Sequence, residues 1–267
     1  MWKLDLASHC RRTSAPRKLD CRPDLGSKRR SLPTLNIAHR GASADFPENT
    51  IRAFIAAADA GADMCELDVQ ATRDGAVVVI HDDTVDRTTD GNGAVAEMTL
   101  DEIRRLDAGI KCGAQFGGER IPTLEQVFEA TRSRLSLNIE IKEGAVESTV
   151  CELIRKFDAC ASSMISSFAW RALENVRAID PEIRIGLLAE EKPSALLRAA
   201  EKMRAYAVNP RFDLASRDFC DEAHRRGLAV LVWTVDAREL MHYMIEAGVD
   251  GIMTNHPARL AAILRGE

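Results

Sequence analysis

No apolar run in the chain approaches the roughly 18 residues needed to cross a membrane as a helix. The seven cysteines, Cys10, Cys21, Cys65, Cys112, Cys151, Cys160 and Cys220, are odd in number and form no CxxC pair. That argues against a disulfide framework and against a zinc site, and predicts free thiols in a reducing, cytoplasmic compartment. The first 34 residues lack the hydrophobic core of a secretory signal, about 7 to 15 residues long where it exists. No glycine-rich phosphate loop lies between the first strand-like and helix-like segments, which disfavours an open doubly wound sheet.

Charge is unevenly spread. Residues 1 to 34 carry nine Lys/Arg against three Asp, a net of +6, while the remainder carries 27 basic against 38 acidic residues, a net of −11. With no apolar periodicity, the first stretch reads as a disordered tail. A basic arm for an anionic membrane or nucleic acid, or an extended translational start, are the alternatives.

The whole chain, 267 residues of which 46% are hydrophobic, suits one enzyme-sized domain preceded by the tail. Short apolar runs at 35 to 39, 64 to 69, 136 to 141, 164 to 168, 183 to 188, 205 to 208, 228 to 234 and 251 to 254 alternate with helix-like patterns. In the first helix Ile51, Phe54, Ile55 and Ala58 fall at helical spacing, with Gly61 as a stop. The others suit 123 to 132, 145 to 157, 170 to 179, 193 to 204, 216 to 226, 237 to 247 and 257 to 265. Eight strand and helix pairs predict parallel βαβ units closed into an α/β TIM (β/α)8 barrel over residues 35 to 267. The stretch 83 to 118 breaks the alternation and predicts a short insertion over the barrel mouth.

Two of these strands turn charged near one end. In Glu66-Leu67-Asp68 and Glu140-Ile141-Lys142 the charges at i and i+2 share a face. Buried carboxylates need a cation or a metal beside them, so three acids and a lysine converging from two strands suggest a site for a hard cation and something anionic. The alternative is a set of structural ion pairs in which Lys142 and nearby arginines neutralise the acids. His39 closes the run Leu35-Asn36-Ile37-Ala38, and His81 closes Val77-Val78-Val79-Ile80. A lone histidine at a strand end is usually structural, but two beside an acidic cluster point to acid/base work near neutral pH. Only Ala71 to Ala76 separate the second strand from Val77, too few for a parallel crossover, so a hairpin is predicted. With Asp74-Gly75 at its turn, His81 falls opposite Asp68.

The segments Ile37-Ala38-His39-Arg40-Gly41-Ala42-Ser43, Pro47-Glu48-Asn49-Thr50, Glu66-Leu67-Asp68-Val69, Thr72-Arg73-Asp74-Gly75, His81-Asp82, Arg87-Thr88-Thr89, Asn138-Ile139-Glu140-Ile141-Lys142 and Trp233-Thr234-Val235 together resemble the glycerophosphodiester phosphodiesterase family. The resemblance runs from about residue 35 to the end. It implies that His39 and His81 are the general acid/base pair and that Glu66, Asp68 and Glu140 bind a divalent metal. It further implies that Arg40 and Lys142 hold the phosphate, Glu48 supports the site and Trp233 lines the glycerol end. Three carboxylates without thiolate or histidine suit Mg²⁺ or Ca²⁺. In one departure, Asn255 stands where the family commonly has Asp, a position expected to be peripheral.

Weaker candidates are His224, expected to face solvent beside Arg225-Arg226, His242, expected to be structural, and His256, expected to cap a helix. Ser167 has no histidine and acid positioned to make it a nucleophile, and Asn209-Pro210 ends a strand near the pocket. The implied activity is metal-dependent hydrolysis of small glycerophosphodiesters to sn-glycerol 3-phosphate and an alcohol, with no nucleic acid partner and no stable membrane insertion. Which histidine acts first is open. The alternatives are a phospholipase-D-like enzyme acting on lysophospholipids, which would want an apolar rim, and a non-catalytic ligand-binding barrel, which would tend to have lost a motif residue.

Overall fold

The computed structural model describes residues 33–142 and 146–267. The tail expected over 1 to 34 therefore lies outside the described residues up to position 32. Thr34 already belongs to the folded body, buried and donating its hydroxyl to Val249 O at 3.3 Å.

Among the described residues nine strands form one sheet: β1 (Leu35–His39), β2 (Met64–Ala71), β3 (Val77–Val79), β4 (Ser136–Ile141), β5 (Ser163–Ser167), β6 (Arg184–Ala189), β7 (Ala207–Pro210), β8 (Ala229–Val232) and β9 (Gly251–Thr254). All but β3 pair in parallel in the ring β1, β2, β4, β5, β6, β7, β8, β9, and β9 returns to β1 through Leu35 facing Gly251 and Ala38 facing Thr254. The result is a closed eight-stranded α/β TIM barrel. Around it lie α1 (Ile51–Asp59), the single-turn α2 (Leu100–Ile103), α3 (Leu124–Thr131), α4 (Glu147–Lys156), α5 (Trp170–Ile179), α6 (Pro193–Lys202), α7 (Arg217–Arg225), α8 (Arg238–Ala247) and α9 (Pro257–Leu264).

Local chemistry starts several of these helices. Thr50 accepts from the N–H of Ala53 at 3.2 Å at the head of α1, and Thr123 with Gln126 forms a capping box on α3. The buried face of α1 differs from the expected one. Ala53, Phe54 and Ala57 are buried, whereas Ile55 is 38% exposed. The small alanines let the helix approach the barrel closely, and that contact outweighs the larger side chain of Ile55.

Inside the barrel, period-2 alternation sorts the residues into two layers. Ile37, Met64, Met164, Ala207, Leu231 and Met253 fill the lower lumen as a separate apolar cluster. Two residues further along each strand, on the same face, stand His39, Glu66, Ser166, Asn209, Trp233 and Asn255. The polar layer thus sits on the apolar plug, towards the ends of the strands where barrels carry their chemistry.

Several expectations shift. The hairpin register is one residue off, because Arg73, Asp74 and Gly75 make a three-residue loop with Gly75 at φ +82°, not a two-residue one. Val69 therefore faces Val79, and Ile80 rather than His81 lies across from Asp68, donating to its carbonyl at 3.0 Å. The run expected at 205 to 208 pairs over Ala207–Pro210, and that at 228 to 234 over Ala229–Val232, since the ladder starts only where neighbouring strands supply partners. His224 does not face solvent freely, as its Nε2 lies 2.8 Å from Asp250 Oδ2. Residues 83 to 118 hold α2 and three 3₁₀ turns, and pack Val85, Val95, Ile103 and Ala108 with Val78, Ile80 and Ile121 of the hairpin and its neighbour.

Among the described residues, no helix is long and apolar enough to cross a membrane. Cys65, Cys112, Cys151, Cys160 and Cys220 are free, and burial pushes the Cys151 thiol up to about 11 and Cys220 to about 12.

Candidate active site

Glu66 and Asp68 project from β2 and Glu140 from β4, where Asp68 and Glu140 are direct register partners. One carboxylate oxygen from each lies within 4.8 Å of the others, and all three residues are buried. Burial, then the charges of Asp68 and Glu140, raise Glu66 well above the usual carboxylate range, and burial with Asp68 raises Glu140. Burial would raise Asp68 too, but Lys142 and Arg40 outweigh it and hold Asp68 low. Lys142 Nζ is 2.9 Å from Asp68 Oδ1 and also donates to Glu140, while Arg40 Nε is 3.3 Å from Asp68 Oδ2. Asn49 Nδ2 donates to the same Oδ2 at 2.9 Å. Two cations thus face three acids, and Glu66 Oε1 is buried without a hydrogen-bond donor from the protein. An all-oxygen set with an unpaired buried carboxylate oxygen fits a hard divalent cation.

His39 ends β1 beside this cluster, its Nε2 3.9 Å from Glu66 Oε2. Burial, then the charge of Arg40, lowers its pKa below the ordinary histidine value. Asn255 is not peripheral: its Oδ1 lies 2.7 Å from His39 Nδ1. β1 pairs with β9 up to Ala38 and Thr254, so the next residue of each strand stands side by side at the rim.

After the hairpin, His81 is close enough for its charge to act on Asp68. Its Nδ1 lies 2.6 Å from Asp82 Oδ1. Arg87, from the insertion, donates through Nε to Asp82 at 2.6 Å and through Nη1 and Nη2 to Glu48 at 2.8 Å. Glu48 also accepts from Arg40 Nη1 at 3.0 Å. Hydrogen bonds from Arg87 hold Asp82 well below the usual carboxylate range. A chain of alternating charge, Arg40, Glu48, Arg87, Asp82, therefore borders the mouth from β1 to the hairpin and ends on the His81 ring. Across the mouth, Trp233 donates its indole N–H to Asn209 O at 2.7 Å and meets the Phe168 ring edge-on at 5.4 Å.

All nine residues singled out in the sequence stand at this end of the barrel. Glu66, Asp68, Glu140, Arg40, Lys142, Glu48 and His39 form one connected cluster; His81 joins it by charge and through Asp82, while Trp233 stands apart with Phe168. Asn49, Asp82, Arg87 and Asn255 went without assigned roles although three of the four lie in quoted motifs. Their function is to hold other side chains, which residue type alone does not advertise. His256 heads α9 without a side-chain cap hydrogen bond, and Ser167 is spent on Ile141 O at 2.7 Å.

The glycerophosphoryl diester phosphodiesterase family model matches residues 39–259. The chain belongs to the glycerophosphoryl diester phosphodiesterase family. Within that family it is 45% identical over 240 residues to a glycerophosphodiester phosphodiesterase of Caldanaerobacter subterraneus subsp. tengcongensis, covering 88% of this chain and 99% of that one. Among solved structures, a phosphodiesterase of Oleispira antarctica in complex with the product sn-glycerol-3-phosphate superposes with a TM-score of 0.80 at 29% identity, over 88% of this chain and 97% of the other. A glycerophosphodiester phosphodiesterase of Agrobacterium tumefaciens gives 0.79 at 30% identity, over 86% and 99%.

Proposed function

We propose that this member of the family hydrolyses small glycerophosphodiesters to sn-glycerol 3-phosphate and an alcohol, using His39 and His81 for proton transfer. The observation that carries the reading is that each imidazole has its Nδ1 engaged, by Asn255 and by Asp82, beside the same carboxylate cluster. Each then offers Nε2 to a substrate.

Glu66, Asp68 and Glu140 would hold a divalent cation, Mg²⁺ or Ca²⁺. Bound there, such an ion would supply positive charge against the negative charge that develops at the phosphate during the reaction. Arg40 and Lys142 bind the non-bridging phosphate oxygens, and Glu48 with Arg87 keeps Arg40 aimed. Trp233 lines the glycerol end. His39, backed by a neutral amide and held neutral by its surroundings, takes the proton of the glycerol 2-hydroxyl at Nε2 as that oxygen attacks phosphorus. His81, oriented through its Nδ1 by the carboxylate of Asp82, gives a proton from Nε2 to the departing alcohol oxygen. Water then opens the cyclic phosphate with the two histidines in exchanged roles.

The activity resides in residues 35 to 267, with the insertion at 83 to 118 forming one wall of the entrance through Arg87. The family match, which begins at residue 39, supports that division. Free cysteines with no paired partner among the described residues support a reducing, cytoplasmic setting.

The test uses glycerophosphocholine with released glycerol 3-phosphate as readout. His39→Ala and His81→Ala should each lose on the order of 10² to 10⁴ in kcat while keeping their circular dichroism. A substrate analogue with hydrogen in place of the glycerol 2-hydroxyl should bind and resist hydrolysis. Normal turnover of that analogue would establish direct attack by water and remove the cyclic intermediate.

A further inference from the structure

We propose that Asn255, itself held by Asp236, is a positioning residue that fixes the tautomer of His39. The proposal rests on reading His39 as a proton-transfer group and says how the chain prepares it. Three distances carry it. Asn255 Nδ2 lies 2.7 Å from Asp236 Oδ2, Asn255 N–H donates to Asp236 Oδ1 at 2.8 Å, and Asn255 Oδ1 lies 2.7 Å from His39 Nδ1.

A carboxylate only accepts hydrogen bonds. Asp236 therefore dictates which end of the Asn255 amide turns towards it, and that end is the nitrogen. The amide oxygen is left facing His39. An amide oxygen cannot donate, so the ring nitrogen opposite it must carry the hydrogen. The hydrogen of a neutral His39 is thus held on Nδ1, and the lone pair is on Nε2, the nitrogen directed towards Glu66 and the carboxylate cluster. Free histidine prefers the opposite tautomer, with hydrogen on Nε2, which could not accept a substrate proton there. The amide corrects this preference.

The anchor is itself well fixed. Thr254 Oγ1 donates to Asp236 Oδ1 at 3.0 Å, and Arg259 donates to the Asp236 carbonyl. Ser43 Oγ lies 2.8 Å from Asn255 Oδ1 and 2.7 Å from His39 O, so its single hydrogen goes to one or the other. The amide oxygen has two lone pairs and can accept from both His39 and Ser43. Asp236, Asn255 and His39 form a line in which charge, amide and imidazole follow one another. The carboxylate acts on the imidazole at one remove, orienting it without placing a full negative charge against it.

The experiment uses the full chain labelled with ¹⁵N-histidine at about pH 8, where an ordinary histidine is neutral. Six histidines give few resonances, and His39→Ala identifies the one that matters. In the wild type, His39 should show a protonated Nδ1 and an unprotonated Nε2. In Asn255→Ala the hydrogen should move to Nε2, with kcat reduced about 10- to 100-fold, as for loss of other ligand-orienting partners, and KM little changed. Asn255→Asp retains an acceptor for Nδ1 and should recover the Nδ1–H tautomer and part of kcat. A wild-type spectrum with the hydrogen on Nε2 overturns the proposal, whether or not any variant folds. So does Asn255→Ala with kcat within about twofold of wild type. Turnover retained in His39→Ala is a different failure: it removes the catalytic reading of His39 and leaves the spectrum to decide the positioning.

Discussion

Glu66 is the residue at which stability and chemistry pull apart. Its carboxyl sits between Asp68 and Glu140 with one oxygen lacking any donor from the protein, so its ionised form is the unfavourable one in the metal-free chain. A raised folded-state pKa means that the folded state binds more protons than the unfolded state above the ordinary glutamate value of 4.5. The stability linked to this group is fully present below 4.5 and is lost as pH rises through the folded value. Glu66→Gln should therefore melt higher than the wild type in metal-free buffer at pH 7, by on the order of 1 kcal/mol, with the gap closing as pH falls towards 4.5. It should be inactive. Equal melting curves at both pH values would show that the acids are already neutralised by Arg40 and Lys142. At this scale the sequence was readable for placement, since the two carboxylates of β2, Glu140 of β4 with Lys142 just beyond it, and the histidines that end β1 and follow the hairpin come to one end of the barrel. Asn255 was readable in principle too, since Met253 is part of the lumen plug and the residue two along must face the same way. Its role was hidden because an amide earns attention only once its neighbours are known.

Between β1 and α1 the chain turns on Gly41, with φ +87° and so little room that an added Cβ would lie 2.7 Å from both the carbonyl carbon and the Cβ of Ala53. The same turn carries Arg40 at φ +57° and presents His39 and Arg40 to the acids. Gly41→Ala should cost on the order of 1–3 kcal/mol in stability and lower kcat, because relief of the clash must move either α1 or the turn. Gly75→Ala is the control: its φ is +82° but no atom lies within 4 Å of the added carbon, so it carries the backbone cost alone. Equal losses of melting temperature in the two variants would show that the contact with Ala53 is not what constrains the turn. Elements themselves were largely legible, since alternating apolar runs and helical stripes give the barrel. The hairpin register was not, because Asp74-Gly75 suits a two-residue turn and also the three-residue loop that occurs. The buried face of α1 was misread for a related reason: alanine's contribution is close approach, which hydrophobicity understates.

For the molecule as a whole, a cation in the mouth should be a structural ligand as well as a chemical one. It would neutralise three buried acids that converge from β2 and β4, and a ligand that binds only the folded state stabilises it by mass action, about 2.7 kcal/mol at a hundredfold excess over Kd. Mg²⁺ or Ca²⁺ should raise the melting temperature of the chelated protein and restore its activity, and the Glu66→Gln variant should lose most of that thermal shift. Full activity in a verified metal-free preparation would leave the carboxylates as an ion-pair network only.

The barrel closes where its first and last strands meet, with Leu35 against Gly251 and the Asn36 side-chain amide donating to Pro257 O at the head of the final helix. A ring has no privileged beginning. Because the folded body starts beside the place where it stops, and the side chains of the candidate site hang from the opposite rim to the turns between helices and strands, the order in which the eight units are strung together is a matter of how the gene is read and not of how the site is built. A chain with Pro33 spliced to Glu267 through a short linker and new ends opened at the exposed turn of Arg132 and Ser133 would assemble the same mouth from the same residues in a rotated order.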